Sequence, residues 1–249
     1  MALVRGRSVL FRAWSLAKSV RSVAEVYIST DDETIRDHAI GFGAKVLLTQ
    51  SECRNGSERV FAALQEIEAS GGTLPEAVLN LQADAVLTPP WVIQAIVDTL
   101  IQDNQVEIAT PATVLSWENY RSFAAAKANG NASGTLVVFD QKKDALYFSK
   151  GMIPCLRTVD SARYSSQSPV YRHIGLYGYR YAALKKYIQL EPTPLELTEG
   201  LEQLRLLENG IPVRIVLVDY RGRTHDSIDH PEDISRVEEI IQNEGELVE

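Results

Sequence analysis

Cysteine is scarce in this chain: Cys53 and Cys155 are the two present in 249 residues. That number excludes a disulfide framework and a four-cysteine zinc site, and two reduced thiols in a cytoplasmic protein are expected. No run of about 18 apolar residues occurs, so no membrane insertion is expected. The opening MALVRGRS has neither a signal-length apolar segment nor a small-residue cleavage site. Basic charge is the minority: 25 Lys and Arg face 33 Asp and Glu, a net charge of −8. Nucleic acid is therefore an unsuitable partner, although a local basic cleft could hold one nucleotide. A G-x-S-x-G elbow, a P-loop and H-E-x-x-H are all missing. The four histidines, at 38, 173, 225 and 230, lack zinc-ligand spacing.

What remains is ordinary for a folded domain, with 45% hydrophobic and 23% charged residues. Helical spacing of Leu10, Trp14 and Ala17 predicts a helix over 8–20. Strands are predicted at 25–29, 45–49, 77–81 and 106–110. Between them lie helices opening at a Thr30–Glu33 capping box, at Ser57 and at Pro89-Pro90. The apolar run AVLNL reads as a strand buried on both faces. Alternating strands and helices predict an α/β, Rossmann-like three-layer fold with a mostly parallel sheet. After about residue 115 the pattern changes. A flexible link over 124–134 precedes strands at 135–139, 145–149 and 172–179, an inserted antiparallel lobe spanning 115–180 of a single domain, 1–249. Helices at 181–188 and 195–208, a strand at 213–218 and a helix opening at Pro231 complete the chain.

Five places could carry chemistry. Gln82-Ala83-Asp84 follows the buried strand, where ligands of open sheets sit. Asp84 there is either an Mg²⁺ ligand or a loop aspartate. Asp229 in SIDHPED is either a second carboxylate or an ordinary helix-start residue. Asn55-Gly56-Ser57-Glu58-Arg59 opens a helix whose free N–H groups, with Arg59, could hold an anion. His173 and Tyr177 share one face of a strand, as ligand contacts or as core residues. Glu202-Gln203 is a polar pair inside a periodic helix, solvated or reading a ligand.

These places occur in the order of a known family. The strings ISTDDETI, NGSERV, NLQADAVLTPPWVI, ALYFSKGMIPCLR, RHIGLYGYR, PTPLELTEGLEQLRLLENG and SIDHPEDISRVE resemble the 3-deoxy-manno-octulosonate cytidylyltransferases over about residues 5–240. The resemblance implies Mg²⁺-dependent transfer of CMP from CTP to the anomeric hydroxyl of an eight-carbon sugar acid, with pyrophosphate released, serving lipopolysaccharide synthesis. It implies metal binding and catalysis by Asp84 and Asp229. It implies nucleotide contacts by Ser57, Arg59 and Gln82, and sugar contacts by His173, Tyr177, Glu202, Gln203 and Arg157. A homodimer in the cytoplasm is implied as well. Other sugar-acid nucleotidyltransferases, such as the CMP-sialic acid type, and a non-catalytic homologue are the competing readings.

The sequence departs from that family in four places. It reads Gln82-Ala83-Asp84-Ala85-Val86 where Q-G-D-E-P is usual. Lys150 stands where arginine is usual, exchanging a bidentate fork for a point charge, and His230 stands where threonine is usual. The family opens with a strand and a loop of the form I-P-A-R-x-x-S-x-R-x-P-G-K, and this sequence begins just after that loop. Either a truncated start or an incompletely represented chain is therefore expected, with weak or no turnover if 1–249 is the whole polypeptide.

Overall fold

The computed structural model describes residues 2–130, 133–157, 167–228 and 230–248. Strands β1 (Leu3–Val4) and β2 (Arg7–Ser8) form an antiparallel hairpin. Two-residue strands carry no periodicity, so sequence reading passes over them. Ser8 then caps α1 (Val9–Lys18) by accepting from the Phe11 amide. β3 (Tyr27–Thr30), α2 (Glu33–Gly41) and β4 (Lys45–Leu48) follow, with β3 and β4 parallel in a sheet of their own. The cap of α2 is Asp32, which accepts from the Thr34 and Ile35 amides, and not the expected Thr30. Next come α3 (Gly56–Ala69), β5 (Ala77–Leu81), α4 (Pro90–Gln102) and β6 (Ile108–Ser116).

The expected flexible link over 124–134 is partly helical, because α5 (Trp117–Ala128) runs into it. Its alanines are strong helix formers, and the Ser116 hydroxyl caps the start by accepting from the Asn119 amide. Strands β7 (Leu136–Phe139), β8 (Ala145–Ser149), β9 (Gln167–His173) and β10 (Leu176–Arg180) lead to α6 (Tyr181–Ile188). The helix expected over 195–208 is two: α7 (Pro194–Glu199) and α8 (Leu204–Glu208). Gly200, at φ +64°, ends α7 in the left-handed conformation that glycine adopts without a Cβ penalty. β11 (Arg214–Leu217) and α9 (Asp233–Glu244) complete the chain.

The α/β class holds, but the main sheet is not mostly parallel. β5–β10, β10–β6, β6–β9, β9–β7 and β7–β8 pair antiparallel, and β11–β6 is the parallel exception. An apolar run such as AVLNL reports burial on both faces and carries no information about direction. Direction is set by which segment arrives alongside, and the neighbour of β5 comes from residues 176–180.

Helices cover both faces of the sheet, and alternating side chains feed two cores. Ala77, Leu79 and Leu81 of β5 and Leu176 of β10 pack with α1 and α4 around Leu16, Ile93 and Ile96. Val78 of β5 and Tyr177 and Tyr179 of β10 face the opposite side, against α3, α6 and α8. Gly178 lies directly under α4: a Cβ there would stand 2.6 Å from Ile96 Cγ2 and 2.7 Å from Leu100 Cδ1.

β9 and β10 are nearly one strand, interrupted at Ile174-Gly175. β10 lies between β5 and β6, and β9 lies between β6 and β7. The sheet therefore forks at the interruption, with β5 on one prong and β7–β8 on the other.

Candidate active site

The fork is where the polar residues gather. β5 ends with Leu81 opposite Leu176. His173 ends β9, three residues before Leu176 across the Ile174-Gly175 bend. The turn that leaves β5 carries exposed Gln82 and half-buried Asp84, and its backbone closes through the Ala85 amide on the Gln82 carbonyl. Asp84 is thus an oxygen donor held in a tight turn at a strand's carboxyl end. Among the described residues no group of three or more His, Cys, Asp or Glu side chains converges on a metal position. Asp229 lies outside the described residues.

His173 is buried, and its Nε2 lies 2.7 Å from Thr110 Oγ1. The single Thr110 hydroxyl proton goes to the Leu176 carbonyl at 2.8 Å. Nε2 must therefore carry the ring proton and donate to Thr110, which leaves Nδ1 as the acceptor. Burial holds the imidazole neutral by moving its pKa down to about 3. Phe148 and Tyr177 flank the ring, with centroids 5.1 Å and 5.4 Å away.

Glu202 sits in the turn between α7 and α8 as part of a buried network. Tyr187 donates to its Oε2 at 3.3 Å, and Asn55 Nδ2 donates to the Tyr187 oxygen at 3.3 Å. Ser57 hydrogen-bonds the same carboxylate, while its Oγ lies 2.9 Å from the Tyr179 hydroxyl. Burial pushes the Glu202 pKa up, and the bonds from Ser57 and Tyr187 and the charge of Arg205 oppose that rise. Tyr177, Tyr179 and Tyr187 are all pushed up as well, first by burial and next by the Glu202 charge. The structure thus brings Ser57, Tyr177 and Glu202 together with His173. Ser57 has no exposed surface and bonds the Glu202 carboxylate.

Beneath the network, Arg205 forks onto Glu196, with Nε 2.7 Å from Oε2. Arg205 is 1% exposed and Glu196 8% exposed, so the pair is an internal brace for the α7–α8 turn. Gln203 is buried at the start of α8.

Arg59 and Arg157 stand apart from this cluster. Arg59 Nη1 bonds Thr49 Oγ1 at 2.9 Å and Asp31 Oδ1 at 3.2 Å, tying α3 to the small β3–β4 sheet. Arg157 is exposed and makes no hydrogen bond or ion pair among the described residues. Sequence reasoning passed over Thr110, Tyr179 and Tyr187. Tyr179 was within reach, because it lies two residues from Tyr177 on the same strand face. Tyr187 and Thr110 are brought in by tertiary packing alone.

The cytidylyltransferase family profile matches residues 2–217. The chain is 48% identical over 248 residues to a 3-deoxy-manno-octulosonate cytidylyltransferase of Maricaulis maris, covering 100% of this chain and 92% of the relative. It is 33% identical to the protein of the same name from Chlamydia trachomatis serovar L2, covering 97% and 87%. A solved CMP:2-keto-3-deoxy-manno-octonic acid synthetase in complex with CTP superimposes with a TM-score of 0.80 at 26% identity, covering 98% of this chain and 91% of that one.

Proposed function

The chain belongs to the cytidylyltransferase family, and we infer that it is a nucleotidyltransferase that moves CMP from CTP to 3-deoxy-manno-octulosonate, releasing pyrophosphate. The observations that support this reading are the Gln82–Asp84 turn at the carboxyl end of β5 and the buried polar groups of His173, Tyr177 and Glu202.

His173 Nδ1 accepts a hydrogen bond from a sugar hydroxyl, and Glu202 accepts another. Both acceptors are held in place before substrate arrives, His173 by Thr110 and Glu202 by Ser57 and Tyr187. Such fixed positioning supports in-line attack by the anomeric hydroxyl on the α-phosphorus. Gln82 is exposed on the turn and would contact the nucleotide.

A half-buried carboxylate at a strand's carboxyl end suits Mg²⁺, which prefers oxygen ligands and keeps substrate phosphates in its shell. Asp84 and Asp229 would hold it, and when bound it would neutralise charge on the phosphates. The same reading assigns the protein to a homodimer in the cytoplasm.

Pyrophosphate release from CTP, Mg²⁺ and the octulosonate tests the proposal. Asp84→Ala is expected to lower kcat by roughly a hundredfold or more, since metal stabilisation of phosphoryl charge amounts to several kcal/mol. Mn²⁺ binding measured by paramagnetic relaxation should weaken in parallel. Turnover and Mn²⁺ binding that both survive the substitution would overturn the metal assignment.

A further inference from the structure

Both ends of the Asn55 side chain are committed. Its Oδ1 accepts the Glu58 amide at 2.9 Å and so caps α3. The cap fixes which way the side-chain amide points, so Nδ2 is the atom that lies 3.3 Å from the Tyr187 oxygen. An amide nitrogen can only donate. It therefore occupies a lone pair of that oxygen and turns the phenol proton toward Glu202 Oε2, also 3.3 Å away. A helix cap needs an oxygen alone, and serine, threonine or aspartate would supply one. The nitrogen is what asparagine adds, and it joins the start of α3 to the turn between α7 and α8.

Tyr187 cannot swing away from this contact. Its side chain is buried, and the Arg205 guanidinium lies over the ring at 4.9 Å. Arg205 is held in turn by Glu196. Around Glu202 stand Tyr187 of α6, Tyr177 and Tyr179 of β10, Arg205 of α8, Glu196 of α7 and the Ser57 hydroxyl of α3. Burial and the Glu196 charge favour the neutral acid, whereas Ser57, Tyr187 and Arg205 favour the carboxylate. Losing the Tyr187 bond therefore tips Glu202 toward the neutral acid. That form has less acceptor capacity to offer a hydroxyl donor.

We propose that Asn55 is a positioning residue for the acceptor: acting through Tyr187, it holds the Glu202 carboxylate in the place that receives a sugar hydroxyl. This deepens the transferase reading above and rests on it. In this role Asn55 does not touch the acceptor, and its effect passes through the Tyr187 hydroxyl.

The test compares wild type, Asn55→Ser, Tyr187→Phe and the double variant. Serine keeps the helix cap but is too short to reach Tyr187. The Glu202 carboxyl is titrated without ligand by ¹³C NMR, its signal assigned with Glu202→Gln, and octulosonate binding is measured calorimetrically between pH 5 and pH 8. Both single variants are expected to move the Glu202 midpoint to higher pH. They should also bind octulosonate roughly three- to tenfold more weakly at pH 7, the range for one hydrogen bond, with the deficit growing as pH falls. The double variant should match Tyr187→Phe in both readouts, because phenylalanine lacks the hydroxyl through which Asn55 acts. A Glu202 midpoint unchanged in Asn55→Ser, or losses that add in the double variant, overturns the proposal. So does a lowered urea midpoint in Asn55→Ser with octulosonate affinity intact, which would leave Asn55 as a helix cap alone. Absence of pyrophosphate release by the wild-type protein with CTP and the octulosonate overturns the transferase reading itself, a result separate from the Glu202 titration.

Discussion

Replacing His173 with glutamine should flatten the acid side of the protein's stability curve. The imidazole is buried and neutral, with its pKa lowered from 6.5 to about 3 by desolvation. The native state therefore binds fewer protons than the unfolded chain between those two values. A depressed histidine contributes stability that is fully present above 6.5 and is lost as pH falls toward 3. The whole window corresponds to about 5 kcal/mol at ~1.4 kcal/mol per pH unit. Between pH 7 and pH 5 the loss from this one group is about 2 kcal/mol. Glutamine does not titrate, and its amide N–H can still donate to Thr110, so the variant should lack that component. Urea denaturation at pH 7, 6 and 5 measures it, with unfolding free energies extrapolated at each pH. His225, also buried and shifted down, remains in both proteins and does not affect the comparison. Parallel decline of wild type and variant would refute the neutral, buried imidazole, and with it the assignment of Nδ1 as an acceptor.

Two further outcomes follow from packing. Gly178→Ala should cost about 1–3 kcal/mol by overpacking, because the new methyl meets Ile96 and Leu100 of α4, and chemical denaturation would detect it. An unchanged midpoint would mean that α4 does not press on β10. Glu196→Ala should cost about 3–5 kcal/mol by stranding the Arg205 guanidinium in the interior, whereas Glu196→Leu with Arg205→Met should recover most of it. A single-variant cost below about 1 kcal/mol would refute the internal brace.

The elements with strong local patterns were legible before any coordinates. β5, β8 and α6 fall at the residues their patterns indicate, because AVLNL, ALYFS and YAALKKYI each present an uninterrupted signal. Strand direction was not legible, since pairing partners are chosen by chain return and not by composition. The α7–α8 break was visible in principle, as Gly200 interrupts the periodic run, but apolar residues on both sides mask it. At the site, Glu202 and His173 stood out as polar residues among apolar ones. Ser57 was legible as a helix-start residue, yet its contact with Tyr179, 122 positions away, belongs to tertiary structure.

The forked sheet separates two tasks along the chain. The prong ending at β5 leads into the Gln82–Asp84 turn, and the prong of β7 and β8 ends next to Lys150, while β6 pairs with both β10 and β9. Sequence changes confined to residues 136–150 therefore fall on the opposite prong from the turn at 82–84.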